Sequence, residues 1–174
     1  PLLVLSRAQQ TGLQERLPGM PVELAMRYGS PSIADGLEAL FRHNPDRIVV
    51  APLFPQHASA TTGSILERVY ELAGSRWNVP ALSVVPPFYD DPGFLGAWMA
   101  VARPVLDEFQ PDHVLFSYHG IPERQVRKSD PTGRHCLERP DCCDTIGPTN
   151  RYCYRAHCFA TTRALVERFG LSDE

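Results

Sequence analysis

The feature that most limits the fold of this chain is an alternation of short apolar runs with segments of helical periodicity. Predicted strands cover residues 1–5, 22–28, 47–54, 81–85 and 113–117, and apolar residues recurring three and four positions apart follow them. Strands joined by helices need crossover connections, which place parallel strands in one sheet with helices on both faces. The sequence therefore predicts an α/β fold with Rossmann-like parallel sheets.

The segments between these runs are predicted as helices, and one proline-rich stretch is predicted as a domain boundary. The helices are expected at 7–17, at 31–43 with Ser30 as N-cap and Pro31 as first residue, and at 65–74, 93–109 and 159–169. Residues 86–92 interrupt the periodicity, which predicts domains at 1–90 and 91–174. Because the chain opens on Pro1 inside an apolar run, we expect a piece of a longer protein whose fold continues beyond Glu174.

Charge and hydropathy exclude two classes of function. The formal net charge of the 174 residues is -3, which lacks the basic field that nucleic-acid binding requires. No apolar run approaches the ~20 residues that cross a bilayer, and none reads as a signal peptide. We therefore expect a soluble, cytoplasmic protein without a transmembrane segment. The sequence leaves its oligomeric state and any peripheral membrane association open.

Two groups of polar residues lie at the predicted ends of strands, where open α/β sheets bind ligands. Arg27 and Tyr28 together suit a planar ligand that carries acids, although a sheet-edge arginine beside a packed tyrosine would look the same. The second group is a hydroxyl-rich loop that offers donors to an anion, or merely caps the next helix. Its candidate residues are His57, Ser59, Thr61 and Thr62.

His119 follows the predicted strand at 113–117 at once, beside Ser117 and Tyr118. A neutral imidazole at this place can accept a proton or bind a divalent metal near pH 7. A lone histidine is more often structural, and for that reason His43, His113, His135 and His157 are expected to be surface or packing residues.

All five cysteines of the chain fall within residues 136–158. In a chain expected to be intracellular, such clustering indicates a metal or iron-sulfur site rather than a disulfide framework. Adjacent cysteines do not easily bind one centre together, so the expected ligands are Cys136, Cys143, Cys153 and Cys158, with Cys142 as the alternative to Cys143. Four thiolates hold either zinc or an iron-sulfur cluster.

Three motifs, taken in order, closely resemble the ferrochelatase family. They are Met26-Arg27-Tyr28-Gly29-Ser30-Pro31, then Pro52-Leu53-Phe54-Pro55-Gln56 with Ser59-Ala60-Thr61-Thr62-Gly63-Ser64, then Phe116-Ser117-Tyr118-His119-Gly120-Ile121-Pro122 followed by Asp130-Pro131. The resemblance covers residues 1–130 and resumes from 152 to 171, so the cysteine-bearing piece at about 132–158 looks like an insertion. It implies a chelatase-like fold of two similar lobes, the second of them incomplete here.

The resemblance implies insertion of ferrous iron into a porphyrin, either protoporphyrin IX or coproporphyrin III. His119 matches the family's active-site histidine, which binds the incoming metal or takes a pyrrole proton. Substrate-binding residues carried over are Arg27, Tyr28, His57, Ser59, Thr61, Thr62, Ser117 and Tyr118. One departure is His57, since the family usually has tyrosine at that place.

Some members of the family hold an iron-sulfur cluster, which places 2Fe-2S above zinc for the cysteine segment. The family's acidic catalytic motif has no counterpart before Glu174, so residues 1–174 alone are expected to be inactive. Two rival interpretations remain. One is a chelatase for another tetrapyrrole, and the other is a non-catalytic iron-sulfur or zinc module on a chelatase scaffold.

Overall fold

The protein is described here from a computed structural model that covers residues 1–171. The chain forms two compact units, the first made of Pro1–Pro52 with Thr62–Val85 and the second of Leu53–Thr61 with the chain from Pro86 onward. Among the described residues no helix is both long and apolar enough to cross a membrane. The expected continuation beyond Glu174 lies outside them, and the assignment of 1–90 and 91–174 to two similar lobes stays a prediction.

The first unit holds a small parallel sheet, which confirms the predicted α/β class. Strands β1 (Arg47–Val50) and β2 (Ala81–Val84) pair in parallel, with Ile48 opposite Leu82. The crossover between them contains a π-helical turn (Ser59–Gly63) and the predicted helix, whose bounds are given next. Parallel pairing requires such a crossover, so the alternating pattern is correct for this part of the chain.

The first unit contains three helices, α1 (Leu2–Arg16), α2 (Ile33–Phe41) and α3 (Ser64–Gly74). Of these, the amphipathic helices α2 and α3 pack against each other. Their buried residues join Ile48 of β1 in one apolar cluster: Ile33, Leu37 and Val69. The predicted cap of α2 is wrong by two residues, because Ser32 accepts from Asp35 N–H while the Asp35 carboxylate accepts from Ser32 N–H.

Helices dominate the second unit. They are α4 (Pro92–Phe109), α5 (Glu123–Lys128) and α6 (Tyr154–Phe169). Asp91 caps α4 by accepting from Gly93 N–H and Phe94 N–H, and α4 packs on α6 through Leu95, Leu165 and Phe169. Gly170 ends α6 in the left-handed conformation that glycine adopts without strain.

Three of the five predicted strands are wrong. Residues 1–5 begin helix α1 instead, and residues 22–28 form only a single bridge between Met26 and Ser32. Residues 113–117 form no strand, and Leu115 is 92% exposed rather than buried. A short apolar run shows that a segment can be extended, whereas a strand also needs a neighbour for its main-chain groups, which these segments lack within residues 1–171.

Candidate active site

Helix α6 organises the second unit through a buried row of side chains spaced four residues apart. The row consists of His157, Thr161, Leu165 and Phe169, and each of them is buried. Residues at this spacing lie on one face of a helix, one turn above the other. The two members nearer the N-terminus are polar, so this half of the helix must find hydrogen-bond partners inside the unit.

The first partner segment is the predicted catalytic one. The Tyr118 hydroxyl, beside His119, lies 2.9 Å from Thr162 Oγ1 of helix α6. His119 itself is exposed, as is Ser117. Helix α6 therefore holds the side chain of the residue that precedes His119, while the imidazole stays open to solvent.

Two tyrosines of this region have raised pKa values. Burial raises the pKa of Tyr118, an effect that the Thr162 hydrogen bond partly offsets. Burial, together with the nearby Cys158, raises the pKa of Tyr154 to about 12. Both phenols therefore stay neutral at physiological pH and serve as hydrogen-bonding groups rather than as bases.

The second partner is the part of the hydroxyl-rich loop that lies in the second unit, within Leu53–Thr61. Gln56 Nε2 donates to Thr161 Oγ1 at 3.0 Å, and Thr161 Oγ1 lies 2.8 Å from the Tyr89 carbonyl oxygen. The main-chain N–H of His57 donates to Nδ1 of His157 at 3.1 Å. Two polar residues of α6 thus hold this loop, Thr161 at the Gln56 side chain and His157 at the His57 main chain.

His57 and Ser59 line a cavity of about 640 Å³ in the second unit. This volume falls in the range of small-molecule sites. Further lining residues include two tyrosines and two cations, namely Tyr152, Tyr154, Arg124 and Lys128. Burial lowers the pKa of His57, so its imidazole is neutral at pH 7 and keeps a lone pair for a metal or a proton.

Other predicted residues of the same loop play different parts. Thr61 Oγ1 donates to the Ala58 carbonyl oxygen at 3.3 Å within the π-helical turn, and Ser59 is exposed. Thr62 belongs to the first compact unit and is buried, and its hydroxyl has no hydrogen-bond partner among residues 1–171.

Arg27 and Tyr28 also lie in the first unit. Arg27 Nε donates to Ser64 at both its side-chain oxygen (2.7 Å) and its carbonyl oxygen (3.1 Å). The guanidinium stands 4.8 Å from the centre of the Tyr28 ring, which is 77% exposed. With Nε held by Ser64 at the start of α3, the two terminal nitrogens are oriented donors for an acid.

All five cysteines are buried and reduced in the second unit, and four of them, Cys136, Cys142, Cys143 and Cys153, share one cluster with Val126 and Ala156. Arg155 Nη1 lies 3.1 Å from the Cys143 sulfur and 3.5 Å from that of Cys142. Burial raises the pKa of Cys136 to about 12 and that of Cys143 and Cys158 to about 11.

The donor set therefore fits a thiolate-bound centre in its chemistry, because soft sulfur ligands are concentrated in one buried place. Its arrangement is not that of a preformed site. Within residues 1–171, no group of three or more His, Cys, Asp or Glu side chains is placed to hold a metal ion. The thiols would have to lose their protons and draw together on binding a metal.

Sequence reasoning missed the part played by His157 and Thr161. His157 was expected to be a surface or packing residue, yet it is fully buried and both ring nitrogens are hydrogen-bonded. The available signal was the row at 157, 161, 165 and 169, in which two polar residues continue an apolar stripe. Polar residues on the buried face of a helix indicate hydrogen-bond partners elsewhere in the fold.

Comparison with known proteins gives a consistent result. The family model described as Ferrochelatase matches residues 1–174. Curated relatives named ferrochelatase include those of Pseudomonas fluorescens (strain Pf0-1), 44% identical over 99% of this chain, and Ectopseudomonas mendocina (strain ymp), 43% identical over 100%. The chain covers 51% of each of these relatives and thus spans about half their length.

Proposed function

Because this chain belongs to the ferrochelatase family, we propose that the natural protein inserts ferrous iron into a porphyrin, protoporphyrin IX or coproporphyrin III, to make haem. The observation that carries the proposal is that helix α6 holds Tyr118, the residue before an exposed His119, through Thr162. An imidazole next to an anchored residue and open to solvent suits a reacting group.

The reaction exchanges two protons for one metal ion. Two pyrrole N–H bonds break, two protons leave, and Fe²⁺ enters as the substrate. The two positive charges that leave equal the two that enter, so no redox step is needed. An imidazole ring in its neutral form, as proposed here for His119, has one lone pair that either accepts a pyrrole proton or binds the incoming iron. A planar macrocycle hides its nitrogen atoms until it is bent, which requires a stiff binding site.

The substrate-binding residues are proposed separately for each compact unit. In the first unit, Arg27 offers its terminal nitrogens to a propionate and Tyr28 offers an exposed ring, and Thr62 is the third proposed residue. In the second unit, the proposed residues are His57, Ser59, Thr61, Ser117 and Tyr118. The cavity beside His57 supports this assignment, since it joins aromatic walls to a neutral imidazole and to cations.

We further propose that the cysteine segment holds a 2Fe-2S cluster, with zinc as the alternative occupant. The proposed ligands are Cys136, Cys143, Cys153 and Cys158, and Cys142 is the alternative to Cys143. A cluster there would cross-link a long segment, and no step of iron insertion is assigned to it. We also propose a cytoplasmic location, because thiols that are to bind a metal must stay reduced.

The experiment for the main proposal compares two histidine variants of the full-length protein. Anaerobic Fe(II) insertion is followed by the change in porphyrin absorbance for the wild type, His119→Ala and His113→Ala. Loss of a positioned acid-base or metal-binding group should lower kcat by about 100-fold or more in His119→Ala. His113 is exposed in the same segment and serves as the matched control, expected within twofold of wild type.

Equal rates in His119→Ala and wild type would refute the role of His119, and a wild type that inserts no iron would refute the function. The cluster has its own measurement. Anaerobically purified protein should be brown, with visible absorbance that bleaches on reduction. A colourless protein with one zinc per chain would favour the alternative occupant.

A further inference from the structure

The buried side chain of His157 makes hydrogen bonds in addition to its packing contacts. It is 0% exposed, and its ring stacks on that of Tyr89 with centroids 3.9 Å apart. Both ring nitrogens also contact main-chain atoms, at His57 N and at the Arg151 carbonyl oxygen. Those two partners lie about a hundred residues apart in the chain, so the imidazole joins distant segments of the second unit.

These two contacts fix the form of the ring. A main-chain N–H is always a donor, so Nδ1 of His157 accepts from His57 at 3.1 Å. A carbonyl oxygen is always an acceptor, so Nε2 carries the proton and donates to Arg151 at 2.8 Å. His157 is therefore a neutral imidazole with its proton on Nε2, the one form that satisfies both partners.

The same two partners flank a contact in the wall of the cavity. The ring of His57 lies 5.2 Å from the ring of Tyr152, at an interplanar angle of 54°. Tyr152 directly follows Arg151, and both His57 and Tyr152 line the cavity of about 640 Å³. His157 thus hydrogen-bonds the main chain of His57 and of Arg151, the residue before Tyr152. It thereby holds both sides of the contact between the His57 and Tyr152 rings.

We propose that His157 is a positioning residue, whose two hydrogen bonds set the separation of His57 and Tyr152 and so the shape of the cavity wall. Loss of either bond releases one side of the wall, while Tyr118, beside His119, keeps its own contact with Thr162 of α6. This consequence for substrate binding rests on the proposed function. The prediction is therefore weaker porphyrin binding without a matching loss in kcat.

Two substitutions separate the hydrogen bonds. In His157→Asn the amide oxygen replaces Nδ1 and accepts from His57 N–H, but the side chain is too short to reach Arg151. In His157→Gln the amide nitrogen replaces Nε2 and donates to Arg151, but no acceptor remains at the Nδ1 position. Each variant should raise the KM for porphyrin about fivefold, the effect of one neutral hydrogen bond, with kcat within twofold of wild type.

Amide hydrogen exchange on the full-length protein gives a readout that is independent of activity. The peptide covering 53–61 should lose protection in His157→Gln and keep it in His157→Asn. His135→Gln is the matched control, because His135 Nε2 contacts the Cys142 carbonyl oxygen within the cysteine segment and does not line the cavity. It should change neither KM nor the exchange of this peptide.

Protection unchanged in His157→Gln, or a KM unchanged in both variants, would overturn the proposal. If His157→Gln does not fold, Tyr152→Leu replaces it in the test, because Tyr152 is half exposed and its ring forms the other side of the same aromatic contact. A KM equal to that of wild type in Tyr152→Leu would then overturn the proposal. If the wild type inserts no iron, the proposed function fails by itself. The exchange pattern still decides the positioning role, since loss in His157→Gln supports it and unchanged protection refutes it.

Discussion

The hydroxyl oxygens of Tyr118 and Thr162 lie 2.9 Å apart, which ties the residue before His119 to one turn of helix α6. Thr162 Oγ1 also donates to the Cys158 carbonyl oxygen at 3.0 Å, and a hydroxyl has one hydrogen to give. Tyr118 is therefore the donor in the pair. The result is a directed chain of hydrogen bonds that runs from the proposed catalytic segment into the helix backbone.

A double-mutant cycle tests this pair. Thr162→Val and Tyr118→Phe should each reduce the free energy of unfolding by about 1 kcal/mol, and the double variant should lose little more than either single variant. Urea denaturation measures the coupling, and Thr145→Val, which alters an exposed threonine of the same unit, is the control. Fully additive losses would show that the two hydroxyls do not interact.

Asp130 should make the protein sensitive to acid. Burial alone would raise the pKa of its carboxyl group, but hydrogen bonds from Thr132, His135 and Cys136 outweigh this and hold the pKa well below its usual range. A depressed pKa adds stability that is present above the unfolded value of about 3.9 and is lost as the pH falls below it.

The test follows thermal unfolding between pH 6 and pH 2. Wild type should lose stability below about pH 4, and Asp130→Asn should lower the midpoint by on the order of 5 °C at pH 6 while flattening the acid slope. Asp144→Asn, at an exposed aspartate nearby, should behave as wild type. An acid slope that Asp130→Asn leaves unchanged would assign the sensitivity to other carboxylates.

Asn150 holds the turn that closes the cysteine segment. It is 1% exposed, its Nδ2 donates to the carbonyl oxygens of Cys142 and Thr145, and its Oδ1 accepts from Gly147 N–H. Asn150→Ala should cost about 3 kcal/mol because three main-chain groups lose their partner. Asn150→Asp should be at least as harmful, since it sets an anion against two carbonyl oxygens; denaturant unfolding that ranks it with wild type would contradict this.

The cysteines should react slowly when no metal is bound. With a pKa of about 11 to 12 for Cys136, Cys143 and Cys158, only about one thiol in a thousand or fewer is ionised at pH 8. In metal-depleted folded protein, iodoacetamide should label these three cysteines at least 100-fold more slowly than in urea, as measured by mass spectrometry. Rapid labelling of Cys136 in the folded protein would contradict the buried, protonated state.

The sequence predicted well what depends on periodicity within one segment. The pattern at Leu95 and its neighbours gave helix α4 within one residue, and the two strands that find each other, β1 and β2, were both predicted. It failed where the outcome depends on a distant partner. Residues 113–117 have strand composition but no strand beside them within the described chain, and nothing local reveals this.

The candidate site shows the same division. His119 was singled out from its motif, and the cysteines from their number and spacing. The role of His157 depends on two main-chain groups, at His57 and Arg151, that become its neighbours only after folding. Residue type and spacing cannot specify such partners, whereas the buried polar row on α6 could have shown that partners must exist.

The row on α6 also has a consequence for the order in which contacts form. Its C-terminal half, Leu165 and Phe169, gains from any apolar burial against Leu95, whereas His157 and Thr161 gain only when donors and acceptors are already in register. We therefore expect α6 to dock first by its apolar end during folding, with φ-values higher for Leu165→Ala than for Thr161→Val. The end of the helix that holds the His57 loop would then be the last to form and the first to open.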